Sequence, residues 1–73
     1  MFYRNRQSYV IEGWVYFDGV RLRSSGVDVE LSVDGRTFVW KGRRYPKGLF
    51  FLVRFADGRE ALISEDALEM LRR

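Results

Sequence analysis

The densest group of charged side chains in this sequence lies in the octet KGRRYPKG, residues 41–48. Four of the thirteen basic residues fall in it: Lys41, Arg43, Arg44 and Lys47. Ammonium and guanidinium groups bind phosphates and carboxylates, and Tyr45 between them could stack on a nucleic-acid base. The octet therefore predicts an accessory electrostatic contact with DNA, RNA or an acidic protein surface. The alternative is a polar connection whose cations deter pairing at a sheet edge.

A second group combines aromatic and arginine side chains around the Asp-Gly pair at residues 18–19. If that pair is a two-residue hairpin turn, Tyr16 lies opposite Arg21 and Trp14 lies opposite Arg23 on one face. Trp, Tyr and Arg are enriched at interface hot spots, and cation–π pairs would hold the four side chains in place. We predict a partner-binding face here. The alternatives are cross-strand packing that shields a small sheet, or a second core face under the N-terminal segment.

The N-terminal segment MFYRNRQ, residues 1–7, adds Arg4 and Arg6 to the predicted partner-binding set. The segment is either a flexible basic arm or an edge strand, and the sequence leaves both open. It is too polar for a signal peptide, and no apolar run has the length of a membrane span. We therefore expect a cytoplasmic protein.

Residue types that commonly carry catalysis are missing from the composition. The sequence has no Cys and no His, which removes thiol nucleophiles, thiolate metal sites and the commonest general base near neutral pH. The five serines have no His to activate them. Asp28 and Glu30 project from one face of a single strand, which offers too few oxygen ligands for a cation. We expect no enzyme activity, no cofactor and no metal.

Length and charge favour one small binding domain. Seventy-three residues form a single domain near the lower limit for an independent hydrophobic core. The net charge is +3, and eleven of the thirteen basic residues are Arg, the side chain suited to bidentate contact with phosphate or carboxylate. Acidic residues are interleaved among them, so the basic pI is consistent with nucleic-acid binding and also with ordinary solubility.

Three Asp-Gly pairs, at residues 18–19, 34–35 and 57–58, organise the chain. Each lies between apolar or alternating segments, and Asp-Gly suits a two-residue hairpin turn. The sequence therefore predicts an antiparallel β meander of three hairpins over residues 8–63, curled towards a small barrel. Residues 64–73 are predicted as a short C-terminal helix that begins at the N-cap Ser64 and ends at two arginines.

The alternating segment 27–33 predicts a half-buried strand, with Ser32 facing solvent. Pairing across residues 34–35 sets Val29 opposite Trp40 and Leu31 opposite Phe38. Trp40 is therefore predicted to lie in the core. The third hairpin is apolar on both faces, and a two-residue turn places Ile63 in the row of Phe50 and Leu52. A strand buried on both sides requires cover on its second face, which we expect the C-terminal helix to supply.

Two resemblances add to these inferences. Residues 50–68, FFLVRFADGREALISEDAL, resemble the strand, Asp-Gly turn, strand and short helix that end Tudor-like and SH3-like barrels. The whole Arg-rich chain without Cys or His resembles small phage-encoded regulators of bacterial RNA polymerase, such as inhibitors with antitermination activity from Xanthomonas phages. This resemblance implies a transcription regulator that docks on the large β and β′ subunits of the host enzyme, competes with sigma factor and blocks promoter engagement.

The residues themselves leave two other functions open. One is a stand-alone nucleic-acid-binding β domain, whose affinity would fall steeply with salt. The other is a structural or adaptor subunit, which would self-associate.

Overall fold

A computed structural model describes residues 8–73, which form seven strands and one helix. The elements are β1 Tyr9–Phe17, β2 Leu22–Ser25, β3 Glu30–Leu31, β4 Phe38–Trp40, β5 Arg43–Tyr45, β6 Gly48–Phe55, β7 Glu60–Ser64 and α1 Glu65–Leu71. The predicted class, mainly antiparallel β with one short C-terminal helix, is confirmed. Segment 1–7, with Arg4 and Arg6, lies outside the described residues.

The strands form two antiparallel sheets, a four-stranded sheet in the order β2-β1-β6-β7 and a three-stranded sheet in the order β3-β4-β5. The predicted meander is wrong at one place, because β1 pairs along most of its length with β6 and not only with its hairpin partner. β6 is apolar on both faces, which suits a strand covered by the second sheet on one face and by α1 on the other. No closed barrel forms within residues 8–73.

The first connection is wider than the predicted two-residue turn. The Asp18 side chain accepts hydrogen bonds from the backbone N–H groups of Val20 at 2.8 Å and Arg21 at 2.7 Å, which stabilises a connection spanning residues 18–21. Phe17 therefore lies opposite Leu22, and the whole pairing is displaced by two residues from the predicted register. A displacement by two keeps every side chain on its predicted face, because side chains alternate with period two.

The second hairpin has the predicted register, with Leu31 opposite Phe38. Ser32 is buried and not solvent-facing, because its hydroxyl organises the turn. Ser32 Oγ donates to Asp34 Oδ1 at 2.6 Å and accepts from Thr37 Oγ1 at 2.9 Å. These hydrogen bonds close a loop of residues 33–36 around the Asp-Gly pair.

The apolar row of the segment 27–33 packs against the core only in its first half. Val27 and Val29 pack against the core, whereas Leu31 is 45% exposed and Val33 is fully exposed. This exposure shows that the end of the hairpin lies outside the core, and β3 itself has only two residues. Trp40, on the partner strand, is buried as predicted, with 8% exposure.

The third turn is a three-residue loop, and it changes the register of β7. Phe55 N–H donates to Arg59 O at 2.8 Å, and Gly58 between them has a φ of 94°. A third loop residue shifts the pairing by one position relative to a two-residue turn, which moves side chains to the other face. Ile63 therefore lies opposite Phe51, and the predicted row with Phe50 and Leu52 is wrong for this residue.

The main core lies between the two sheets. It consists of buried apolar residues from β1, β4, β6 and β7: Val15, Phe17, Phe38, Trp40, Phe50, Leu52 and Leu62. Aromatic rings fill most of this space, and Phe38 meets Phe17 and Phe50 edge to face at centroid distances of 6.1 and 5.4 Å. Such contacts let a few large side chains bury the area that a short chain needs.

The helix covers part of the opposite face of the four-stranded sheet. Ser64 is the N-cap as predicted, and its hydroxyl accepts from Ala67 N at 3.2 Å. Leu68 is buried and so is Val53 of β6, on the side away from the main core, where α1 contacts β6 and β7. Arg72 is the C-cap rather than part of the last turn. Ala67 is exposed, so the helix buries only a narrow side against the sheet.

Candidate functional site

A β-bulge at Glu12 determines which side chains β1 presents away from the main core. Ile11 lies opposite Val53 and Trp14 lies opposite Phe51, although Ile11 and Trp14 are an odd number of residues apart. Val53 and Phe51 project from one face of β6, because they are two positions apart. The extra residue at Glu12 therefore puts Ile11 and Trp14 on that same face.

Gly13 makes the close approach beside the bulge possible. A Cβ atom on Gly13 would lie 2.4 Å from the carbonyl oxygen of Ser25 and 2.8 Å from Cγ2 of Val27. The chain leaving β2 thus crosses directly over this position. A glycine inside a strand pattern is a sequence signal for a bulge, and it is the signal from which this arrangement could have been predicted.

We call the side of the four-stranded sheet that faces away from the main core the outer face. Helix α1 covers the part formed by β6 and β7, and the part formed by β1 and β2 remains exposed. There Ile11 is 50%, Trp14 38% and Tyr16 43% exposed. Leu49 and Phe51 lie beside them, opposite Tyr16 and Trp14, and are half-buried. The outer face is thus an apolar and aromatic surface that extends over two strands.

The arginines of the predicted site separate in the structure. Arg23 lies opposite Tyr16 and shares its face, whereas Trp14 lies opposite Ser25. Arg21 lies in the connection between β1 and β2 and not opposite Tyr16, so the two predicted aromatic–arginine pairs are wrong. Within residues 8–73 neither Trp14 nor Tyr16 is held by a cation–π contact. The predicted pairs do not form because the four-residue connection places Asp18 and Arg21 outside the strand pairing of β1 and β2.

Sequence reasoning missed three members of the outer face: Ile11, Leu49 and Phe51. Ile11 was missed because strict alternation along β1 places it on the face opposite Trp14. Leu49 and Phe51 belong to the hairpin predicted to be apolar on both faces, but their position beside Trp14 depends on the pairing of β1 with β6. That long-range pairing has no local signal in the sequence.

The octet KGRRYPKG is a folded hairpin and not a loop. Lys41 has a φ of 50° and Gly42 a φ of 78°, and Trp40 pairs with Arg43 across them. Positive φ at both central residues defines the two-residue type I′ turn, which fits the twist of a hairpin. The two-residue turn expected at the Asp-Gly pairs is therefore found at Lys41-Gly42, which leads into β5.

The four cations of the octet do not all converge on one anion site. Lys41 Nζ pairs with Glu60 Oε1 at 3.2 Å and lies 5.1 Å from the centroid of the Trp40 ring. Arg43 and Arg44 are consecutive in β5 and so project from opposite faces. Lys47 lies farther along the chain, near Gly19 of the first connection.

Tyr45 does not offer the predicted stacking surface. Its ring stacks on Phe38, with a centroid distance of 5.2 Å and an interplanar angle of 15°. It also meets Phe50 edge to face at 5.5 Å and packs against the core cluster. One face of the ring is therefore used in folding. The octet has the composition of a loop that binds single-stranded nucleic acid, but its side chains are not arranged as in such a loop.

A row of alternating charges links the β4–β5 turn with β7, β6 and β1. Lys41 pairs with Glu60 of β7, and Arg54 of β6 donates to Glu12 Oε2 at 2.6 Å. The hydrogen bond from Arg54 lowers the pKa of Glu12 below its ordinary value. The same contact raises the pKa of Arg54, and the charge of Glu60 adds to that effect. These exposed pairs orient neighbouring strands and contribute little net stability.

Other kinds of site find no support in the part of the chain that the structure describes. Residues 8–73 contain no group of three or more acidic side chains placed to hold a metal ion. The helix of these residues is too short to cross a membrane. Comparison with protein-family models, with curated proteins and with solved structures finds no match to this chain.

Proposed function

We propose that this protein is a non-enzymatic interaction module that binds a protein partner through the outer face. The observation that carries the proposal is the shared exposure of Ile11, Trp14 and Tyr16 on one side of the four-stranded sheet. Contiguous exposed apolar surface on a small soluble domain marks an interaction site. Arg23 at the rim adds a side chain suited to a carboxylate of the partner.

The composition of the outer face supports a protein partner. Trp, Tyr and Arg are the residues most enriched at energetic centres of protein interfaces. The half-buried Phe51 and Leu49 lie opposite Trp14 and Tyr16 and would help to exclude water from them on binding. Because the face is built on paired strands, its residues lose little freedom on binding, which favours affinity.

We propose bacterial RNA polymerase as the partner, and this part rests on the resemblance to small phage-encoded polymerase regulators. The outer face would dock on the large β and β′ subunits, compete with sigma factor and inhibit promoter engagement in the cytoplasm of the host bacterium. Antitermination would follow if the protein also remained bound to the elongating enzyme.

A stand-alone nucleic-acid-binding domain has less support. Its strongest feature was the octet, and there the cations diverge while Tyr45 packs on Phe38. Arg43 and Arg44 would then make separate, weak electrostatic contacts with DNA, RNA or an acidic surface. The two functions differ in salt dependence, since phosphate binding weakens steeply with salt and a largely apolar interface does so less.

An order-of-addition transcription assay tests the proposed function. Purified bacterial RNA polymerase holoenzyme receives the protein either before a promoter fragment or after the open complex has formed, and the first transcript is measured. Inhibition only in the first order supports the proposal. Equal inhibition in both orders, or inhibition that free DNA competitor removes, would favour a stand-alone nucleic-acid-binding domain. No inhibition, and no binding to the core enzyme, would contradict it.

A further inference from the structure

A cleft of about 360 Å³ lies between the tip of the β4–β5 hairpin and the edge of β7. The inner face of β4 and β5 contributes one wall, with Trp40, Arg43 and Tyr45. β7 contributes the other wall, with the run Glu60, Ala61 and Leu62. The tip of the three-stranded sheet therefore lies beside the last strand of the four-stranded sheet.

The edge of β7 presents backbone groups towards this cleft. In an antiparallel pair, residues that exchange hydrogen bonds alternate with residues whose N–H and C=O point to the outside. The bond from Phe55 N–H to Arg59 O marks a hydrogen-bonded position of the β6–β7 ladder. The alternation continues residue by residue along β7 from Arg59, so the N–H and C=O groups of Glu60 and Leu62 point away from β6. Both residues line the cleft.

Within residues 8–73 no strand pairs with the outer edge of β7. Long unprotected edges favour pairing with other chains, and proteins usually block them with charges, proline or a bulge. β7 runs over five residues and carries one charged side chain, Glu60, which is engaged with Lys41. The edge is therefore suited to accept one more strand.

The charges around the cleft indicate which segment would fit. Among the described residues, Lys41 and Arg43 line it together with a single carboxylate, that of Glu60, so a positive charge is left in excess. Arg43 makes no ion pair with any residue of segment 8–73. A guanidinium beside an aromatic wall is a favourable site for an acidic side chain of an incoming chain.

We propose that this cleft is a second interaction site, which accepts an extended, acidic segment of a protein partner as a strand added to β7. Main-chain hydrogen bonds to Glu60 and Leu62 supply the pairing, as in other β-strand additions. A glutamate or aspartate of the segment contacts Arg43, and an apolar neighbour contacts Trp40 and Tyr45. The proposal requires an acidic extended peptide and holds whether or not the partner is RNA polymerase.

Three capped heptapeptides test the proposal directly. The first alternates threonine and valine around a central glutamate, the second has lysine at the centre, and the third repeats the first with N-methylated backbone amides. Titration into isotopically labelled full-length protein, followed by amide chemical shifts, should give saturable shifts at Glu60, Ala61 and Leu62 with the first peptide. We expect a dissociation constant of about 1 mM or tighter for it.

The control peptides separate backbone pairing from charge. The lysine peptide should bind at least about fivefold more weakly, and the N-methylated peptide should not saturate at all. Equal binding of the glutamate and lysine peptides would overturn the charge argument, and binding of the N-methylated peptide would overturn strand addition. Shifts confined to the outer face, or no saturable shift up to about 5 mM, would overturn the site itself.

A pair of variants tests the site from the side of the protein. Glu60→Pro removes the N–H that points into the cleft, at an edge position where proline is tolerated. Glu60→Gln keeps that N–H and removes the carboxylate. The glutamate peptide should therefore bind the Gln variant at least as tightly as it binds wild type. It should bind the Pro variant at least about fivefold more weakly. Equal affinities of both variants would contradict strand addition, provided that their thermal melts show that both fold.

Discussion

Ile11 and Trp14 project from the same face of the four-stranded sheet although an odd number of residues separates them along β1. The bulge at Glu12 causes this. It inserts one extra residue into β1, opposite the consecutive β6 residues Val53 and Leu52. Without the bulge, Ile11 would turn towards the inner side and the outer face would end at Trp14. The proposed interaction surface therefore depends on one inserted residue and on the glycine that follows it.

Gly13→Ala should destabilise the protein more than Gly35→Ala. The added Cβ at Gly13 meets a backbone oxygen at 2.4 Å, and a backbone atom cannot move as a side chain can. Such overpacking costs about 1–3 kcal/mol. Gly35 has open space around it, and its φ of 71° alone disfavours alanine by about 1 kcal/mol. Chemical denaturation of the two variants measures the difference, and equal losses would show that the chain from β2 does not cross closely over Gly13.

Trp40→Ala should unfold or severely weaken the protein, whereas Trp14→Ala should change its stability little. Trp40 is 8% exposed within the main core, and truncation of a buried Trp costs about 3–5 kcal/mol, comparable with the whole stability of a small domain. Trp14 is 38% exposed, so we expect a loss near 1 kcal/mol. Thermal melts compare them; a Trp40→Ala variant that melts like wild type would contradict the described core.

Arg23→Ala should weaken partner binding by about tenfold, and Arg21→Ala should change it less than about threefold. The reason is that Arg23 shares the outer face with Tyr16, while Arg21 lies in the connection beyond the ladder. The two arginines serve as matched controls, since both are exposed. Affinity for purified RNA polymerase core enzyme decides between them, and a larger effect of Arg21 would place the contact at the turn.

The protein should lose stability in acid through the aspartates of its three Asp-Gly turns. The pKa values of Asp18, Asp34 and Asp57 lie below their ordinary value, chiefly because each carboxylate accepts hydrogen bonds within its own turn. A carboxyl group with a lowered pKa in the folded state stabilises that state above its unfolded pKa of about 3.8, and this contribution is lost as the pH falls below that value.

Asparagine at these three positions keeps the accepting oxygen and does not titrate in acid. The melting temperature of the triple variant should therefore fall less than that of wild type between pH 5 and pH 2. Identical pH profiles would show that the turn aspartates do not carry the acid sensitivity. Glu12, whose pKa Arg54 also lowers, remains in both proteins and should leave a residual decline.

The sequence predicted those features that local patterns encode. Alternation in 27–33 and the spacing to Trp40 identified a buried Trp and the correct register of Leu31 with Phe38. Ser64 was recognisable as an N-cap, because its hydroxyl precedes an acidic first turn. Each of these features depends on residues close together in the chain.

Features that depend on turn geometry or distant pairing were not predicted correctly. Side-chain hydrogen bonds of Asp18 and Ser32 widen two of the turns, and a third loop residue before Gly58 moves Ile63 to the other face. A difference of one residue in a loop is enough to reverse a face. The pairing of β1 with β6 joins segments more than thirty residues apart, and no short pattern reports it.

The central claim, that the outer face is the docking surface, is tested most directly by comparing Ile11→Ser with Val10→Ser. The two side chains are neighbours in β1 and are both 50% exposed, but they project from opposite faces. Affinity for purified bacterial RNA polymerase core enzyme is measured for wild type and both variants. We predict that Ile11→Ser binds at least about tenfold more weakly and that Val10→Ser binds like wild type. Equal affinities of the two variants, or no binding by the wild-type protein, would contradict the account.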